Sequence, residues 1–243
     1  METTSNYKKI LCVGDIHGCL ETLKALIDKA GPVDKIISCG DLIDRGPSSI
    51  ETVKFIRENN IQVTLGNHEL MFIDAMSDFL GPDHPYKRMG LLTSDWYANG
   101  GKQVFKSFSS NEEIQDMVDY FKTLPIYIEL NHEVNNLPVV ISHTCLNAFT
   151  YDILNASNEE LWKHPTSFVW SRSQAPKGAK FFNIYGHTPT DYLGISGAKP
   201  LVATTGLNLD TGCCYDTKNR GVLTAVLLPD YGNFEIIQQE FIG

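Results

Sequence analysis

Two hydrophobic rhythms alternate along residues 8–65. The run Lys8-Lys9-Ile10-Leu11-Cys12-Val13 is short and apolar at its end, which predicts a strand over 8–13. Residues 20–30 instead carry Leu20, Leu23 and Ile27 at helical spacing, and Gly31-Pro32 ends that helix. The alternation then repeats: a strand over 35–39, a helix over about 48–59 with Ile50, Val53 and Ile56 on one side, and a third strand over 61–65. This βαβαβ order predicts parallel strands joined by right-handed crossovers, with ligand-binding loops at their carboxyl ends.

Between residues 70 and 124 the pattern turns helical, interrupted at Gly81-Pro82, Pro85 and Asn99-Gly100-Gly101, and reads as a helical insertion forming one wall of a cleft. Short strands return over 125–130, 138–142, 181–185, 206–210, 222–228 and 234–240, the last two antiparallel, so a second sheet is expected. No repeat, low-complexity segment or linker divides the chain. It is read as one α/β domain over 1–243 with an insertion at about 70–124.

Composition narrows the classes. The 243 residues suffice for a full core, and 42% hydrophobic and 20% charged residues, with no apolar run long enough for a bilayer, predict a soluble globular protein without a membrane partner. The start, Met1-Glu2-Thr3-Thr4-Ser5-Asn6, has no basic segment followed by an apolar one, which predicts a cytoplasmic location. Of the six cysteines, Cys12, Cys19, Cys39 and Cys145 lie at strand ends and Cys213-Cys214 are adjacent; no CxxC pair supports a thiolate zinc site. A net charge of −9 argues against a broad grip on nucleic acid, and so against a nuclease. A phosphate substrate stays open, because a bound metal reverses the local sign. Nothing in the sequence sets an oligomeric state.

The chemistry sits at the strand ends. Gly14-Asp15-Ile16-His17-Gly18 follows the first strand; Asp and His at this spacing can aim a carboxylate and an imidazole to one side, though alone such a pair is more often a set of turn and hydrogen-bonding residues. Gly40-Asp41-Leu42-Ile43-Asp44-Arg45-Gly46 follows the second strand, with Asp41 twenty-six residues after Asp15. Gly66-Asn67-His68-Glu69 follows the third, with Asn67 twenty-six residues after Asp41. Three strand ends thus present polar ligands to one crevice. His143 after Val139-Val140-Ile141-Ser142, and His187 after Ile184-Tyr185-Gly186, stand at two further strand ends. Either histidine alone fits a hydrogen-bonded core residue; with the earlier motifs they complete a metal-ligand set.

In this order, GDIHG, GDLIDRG, GNHE, SHT and GHTP resemble the calcineurin-like metallophosphoesterase superfamily, in its phosphoprotein phosphatase branch. Asn99-Gly100-Gly101, Leu124-Pro125, Val169-Trp170-Ser171-Arg172 and Asp210-Thr211-Gly212 are similar to the compact lambda-type Ser/Thr phosphatases of bacteria and phages. The resemblance implies a β-sandwich of two mixed sheets flanked by helices around a βαβαβ metal-binding core. It implies two divalent ions, one on Asp15, His17 and Asp41 and one on Asp41, Asn67, His143 and His187, with Asp41 bridging. Manganese is the expected metal, with iron or zinc also suited to these N/O ligands.

The resemblance also assigns His68 as the acid that protonates the leaving oxygen, Asp44 as its orienting partner and Arg45 as the phosphate clamp. Arg172 and Asn67 are further phosphate-binding candidates. Two departures bear on substrate. Leu65 stands where many phosphoprotein phosphatases have Arg, as in symmetrical dinucleoside tetraphosphatases, and Gly186-His187-Thr188-Pro189 lacks the further His of other branches. His84, His132 and His164 are expected in exposed loops, whereas Tyr215 and Arg220 either line the pocket or pack beside it. The expected activity is hydrolysis of phosphate monoesters, phosphoserine and phosphothreonine of proteins foremost. The alternatives are symmetrical dinucleoside tetraphosphate hydrolysis and a non-catalytic binding scaffold on the same fold.

Overall fold

Strand β1 (Ile10–Val13) lies at the centre of the first sheet. It pairs in parallel with β2 (Lys35–Ser38), which pairs in parallel with β3 (Gln62–Val63). On its other side it pairs antiparallel with β9 (Val222–Leu228), itself antiparallel to β10 (Glu235–Glu240). The second sheet runs β4 (Tyr127–Val134), β5 (Leu137–Ser142), β6 (Phe182–Tyr185), β8 (Gly206–Asn208), β7 (Leu201–Ala203), parallel only across β5–β6–β8. This is the expected pair of mixed sheets. The computed structural model describes residues 7–80, 91–148, 156–215, 221–229 and 233–243. The readings at Gly81-Pro82, His84, Pro85 and Arg220 lie outside the described residues.

The period-two geometry of a strand sends alternate side chains to opposite faces. Ile10 and Cys12 join Ile37, Val139, Ile141, Phe182, Ile184 and Leu207 between the sheets. Leu11 and Val13 point outward against Leu23, Leu26, Val53 and Ile56. Burial on both faces explains why β1 is apolar throughout.

The outward layer comes from α1 (Leu20–Ala30), which buries Leu20, Leu23, Leu26 and Ala30 and leaves Ile27 half-buried, and from α2 (Ser49–Glu58), which buries Ile50, Val53 and Ile56. α3 (Asn67–Leu80) opens a helical block continued by α4 (Leu91–Trp96), a wide turn Tyr97–Gly101, α5 (Lys102–Ser107) and α6 (Asn111–Lys122). Phe72 anchors it, edge-on to Trp96 at 5.4 Å and to Phe121 at 5.5 Å. Two short helices, α7 (Asn158–Leu161) and α8 (Pro165–Val169), precede β6.

Several local expectations change. The third strand keeps only Gln62–Val63, because the Leu65 amide turns away to the Pro125 carbonyl (2.8 Å) and its side chain is buried. β7 was not expected, being three residues long and flanked by Pro200. His132 is half-buried in β4, beside the register shift between Leu130 and Glu133, not in an exposed loop. His164 is exposed and caps α8. All six cysteines are free thiols, five of them buried. No helix among the described residues is long and apolar enough to cross a membrane.

Candidate metal centre

The loops after β1 and β2 are bonded to one another through the backbone. Ile16 and His17 donate to the Asp41 carbonyl (3.1 and 2.8 Å), Gly18 donates to Leu42, and Gly46 donates back to His17 (2.9 Å). Glu69 completes the tie: Oε2 accepts from the Asp41 and Gly66 amides (2.9 and 3.0 Å) and Oε1 from Leu42 (2.7 Å). A single buried carboxylate therefore fixes the second loop against the third. The geometry requires His17 (φ 48°), Asp41 (51°), Asp44 (73°), Arg45 (68°) and His187 (72°) to adopt left-handed backbone, which costs non-glycine residues about 1–3 kcal/mol each.

All six ligand-type side chains converge, and all are buried. Asp41 is central. Its Oδ2 lies 3.6 Å from His17 Nε2 and its Oδ1 3.5 Å from His143 Nε2, while the His68 amide at the start of α3 donates to Oδ1 (3.0 Å). Asn67 Oδ1 lies 2.9 Å from His143 Nε2 and 2.8 Å from His187 Nδ1, and the two imidazole nitrogens are 3.2 Å apart. The Asp15 carboxylate accepts from the His187 amide (3.2 and 3.0 Å), and a Cβ on Gly186 would collide with it. Donor atoms of Asp15, Asp41 and His143 lie within 4.8 Å of one another, as do those of His17, Asp41 and His68. These close triples cut across the division of ligands implied by resemblance.

Tautomers show what this cluster is built to hold. His17 Nδ1 donates to the Ile43 carbonyl (2.9 Å) and His143 Nδ1 to the Cys39 carbonyl (3.0 Å), so both Nε2 atoms turn lone pairs inward. The His143 lone pair meets the Asp41 and Asn67 oxygens, an arrangement that repels itself unless a cation stands among them, whereas His17 Nε2 faces both Asp41 Oδ2 and the Arg45 guanidinium. Titration behaviour agrees. Desolvation pushes the Asp41 carboxyl up to about 7 and Glu69 to about 8, and it raises Asp15, with neighbouring Asp210 and Asp41 adding to the effect. Desolvation likewise lowers His143 to about 3, and it lowers His187 to about 2 with help from the His143 charge. The residues present fit divalent cations, whose charge would favour the ionised carboxylates, while the lowered imidazoles are already in the neutral form that ligates a metal.

Beside this cluster stands His68, its Nδ1 2.6 Å from Asp44 Oδ2 and its Nε2 without a hydrogen bond among the described residues. Both side chains are fully buried. Arg45 places Nη1 2.6 Å from His17 Nε2 and its guanidinium 5.7 Å over the Tyr215 ring. Arg172 is more distant, reaching the Thr188 hydroxyl at 3.4 Å. Three contributors went unread in the sequence: the Glu69 tie, Asp210 as the charged neighbour of Asp15, and Trp96, whose indole donates to Asp44 (2.9 and 3.0 Å). Glu69 closes the GNHE motif and Asp210 opens Asp210-Thr211-Gly212, so both had a signal beside them. Trp96 stands three residues before Asn99, the nearest signal to it.

Comparison with known proteins agrees with this geometry. The profile of the family "Calcineurin-like phosphoesterase" matches residues 8–222. Serine/threonine-protein phosphatase 2 of Salmonella typhimurium is 30% identical over 200 residues, covering 76% of this chain and 82% of that protein. An asymmetrical bis(5'-nucleosyl)-tetraphosphatase of Oceanobacillus iheyensis is 26% identical over 91% of this chain and 89% of its own. A symmetrical one of Neisseria gonorrhoeae is 42% identical, over 25% of this chain and 24% of its own. Among solved structures, a protein serine/threonine phosphatase of Saccharomyces cerevisiae superposes with a TM-score of 0.60 at 17% identity, covering 97% of this chain and 81% of that one. The chain belongs to the calcineurin-like phosphoesterase family, whose members use divalent metals, and is a phosphoric ester hydrolase.

Proposed function

We propose that this enzyme hydrolyses phosphoserine and phosphothreonine esters of proteins, with Asp15, His17, Asp41, Asn67, His143 and His187 holding two divalent cations, manganese by preference. The observation that carries the reading is the buried His68–Asp44 pair, 2.6 Å apart, beside the Asp41 carboxylate. An alkoxide is a poor leaving group and needs a proton as the P–O bond breaks, which is what a positioned imidazole supplies. The 30% identity to serine/threonine-protein phosphatase 2 over most of both chains supports the same substrate class.

When bound, the cations would acidify a water and offset the charge on the phosphoryl oxygens. Asp41, offering one oxygen toward His17 and the other toward His143, is the residue suited to join the two positions. Arg45 would turn its guanidinium from His17 onto the phosphate, with Arg172 and Asn67 as further contacts. The alcohol–phosphorus bond breaks as the water–phosphorus bond forms. The proton on His68 Nε2 passes to the departing oxygen, and one water proton returns to His68 while the other stays on the phosphate.

Leu65 favours a second reading. It is fully buried, so this position offers no cation to a protein phosphomonoester, and tetraphosphatases are among the relatives. One comparison separates the two: rates on a phosphothreonine peptide and on diadenosine tetraphosphate, with manganese-loaded enzyme. Faster turnover of the peptide is expected. Preference for the dinucleotide by about tenfold or more, roughly 1.4 kcal/mol, would transfer the assignment.

A further inference from the structure

Asp44 is held from two sides, one in the Gly66-Asn67-His68-Glu69 motif and the other in the helical block. Its Oδ2 meets His68 Nδ1 at 2.6 Å, while the Trp96 indole N–H, fifty-two residues away in sequence, donates to Oδ1 at 3.0 Å and Oδ2 at 2.9 Å. A carboxylate torsion is broad and two-fold, so one imidazole contact does not fix which way the oxygens point. A second donor, itself immobile, does. Trp96 is fully buried, edge-on to Phe72 and tilted against Tyr97 at 5.5 Å. The wide turn after it is shaped to this ring: a Cβ on Gly101 would collide with the indole, and one on Gly100 would lie 2.7 Å from the Arg45 amide nitrogen.

We propose that Trp96 is a positioning residue for the hydrolytic reaction. Its N–H fixes the Asp44 carboxylate so that Oδ2 accepts the hydrogen bond from His68 Nδ1–H, leaving Nε2 as the atom that carries the proton for the leaving group. The proposal rests on His68 acting as that acid. It gives the Trp96-to-Gly101 segment a single role, which is to bring a donor from the helical block to the loop after β2. The segment makes no described contact with Asp15, His17 or His143, so its loss should spare metal binding and weaken proton delivery alone.

The test uses the full-length, manganese-loaded protein and two aryl phosphates: phenyl phosphate, whose departing oxygen needs a proton, and p-nitrophenyl phosphate, whose oxygen leaves readily without one. Trp96→Phe keeps a ring in the packing and removes the N–H. It should slow phenyl phosphate by about tenfold or more, a fraction of the full effect of a general acid, and leave p-nitrophenyl phosphate within about threefold. Bound metal should stay unchanged. His68→Asn should show the same selectivity more strongly, and the double variant should lose no more than His68→Asn alone.

Gly101 has ordinary helical angles (φ −59°), so Gly101→Ala alters only space. It should reproduce the selective loss by displacing the ring, and it carries the test if Trp96→Phe does not fold. Equal loss on both esters, or none, in a metal-replete and folded Trp96 or Gly101 variant overturns the proposal while a selective His68→Asn leaves the acid assignment standing. A His68→Asn variant without selectivity overturns the acid assignment itself.

Discussion

The metal cluster and the proton-handling group adjoin one another, yet they are built by different means. The cluster is specified largely by backbone: the first two loops exchange amide–carbonyl hydrogen bonds, Glu69 binds three amides to add the third, and left-handed residues aim the ligands. The proton handler depends on a chain of side-chain contacts, a buried run of hydrogen bonds from Trp96 through Asp44 to His68. A backbone-built site can lose one side chain and keep its shape. A relay loses its function at any link. The two halves should therefore fail differently.

The largest effect is expected at Asp41, where both sets of imidazoles meet. Asp41→Asn should reduce turnover by about four decades, since several kcal/mol of charge stabilisation are at stake and each 1.4 kcal/mol is tenfold. Mass-spectrometric metal analysis should show lost manganese. Full occupancy with full activity would remove Asp41 from the centre. His68→Asn should lower turnover of phenyl phosphate by about a hundredfold or more with metal content intact, and a matching loss of metal would erase the distinction between the two halves.

Glu69→Gln tests the backbone tie. An amide cannot offer acceptors to all three N–H groups at once, so denaturant unfolding should register a loss of about 1–3 kcal/mol, with weaker metal retention. An unchanged midpoint would show that the loops hold without Glu69. The smallest effect belongs to the exposed Arg57–Asp116 pair joining α2 and α6, where Asp116→Asn should cost less than about 1 kcal/mol. Arg57 holds the Asp116 carboxyl below its ordinary 3.8, so the folded state binds that proton less readily than the unfolded chain. Its contribution is whole above pH 3.8 and fades as pH falls through the folded value, a trend that Asp116→Asn should flatten in acid unfolding curves.

The sequence made the cluster legible and left the relay half-read, for one physical reason. Asp15, Asp41 and Asn67 recur at strand ends, and parallel strands put such ends on one edge, so periodicity alone brings them together. Trp96 meets Asp44 through the packing of Phe72 and Gly101, and no local rhythm encodes a contact made across a helical block. The same limit explains Leu65: its side chain reads as strand, but the amide pairs with Pro125 and the chain has already left the sheet. Nor does residue type announce that His17 and His187 sit at positive φ.

Those left-handed residues bear on how this enzyme would respond to selection. Five non-glycine side chains hold a conformation that glycine or asparagine adopts with less strain, and each is one on which the proposed chemistry depends. Replacing them would relax the native state while emptying it of function. A library screened for heat resistance alone should therefore enrich inactive variants at these positions, and a thermostable working enzyme would have to find its gains elsewhere in the chain.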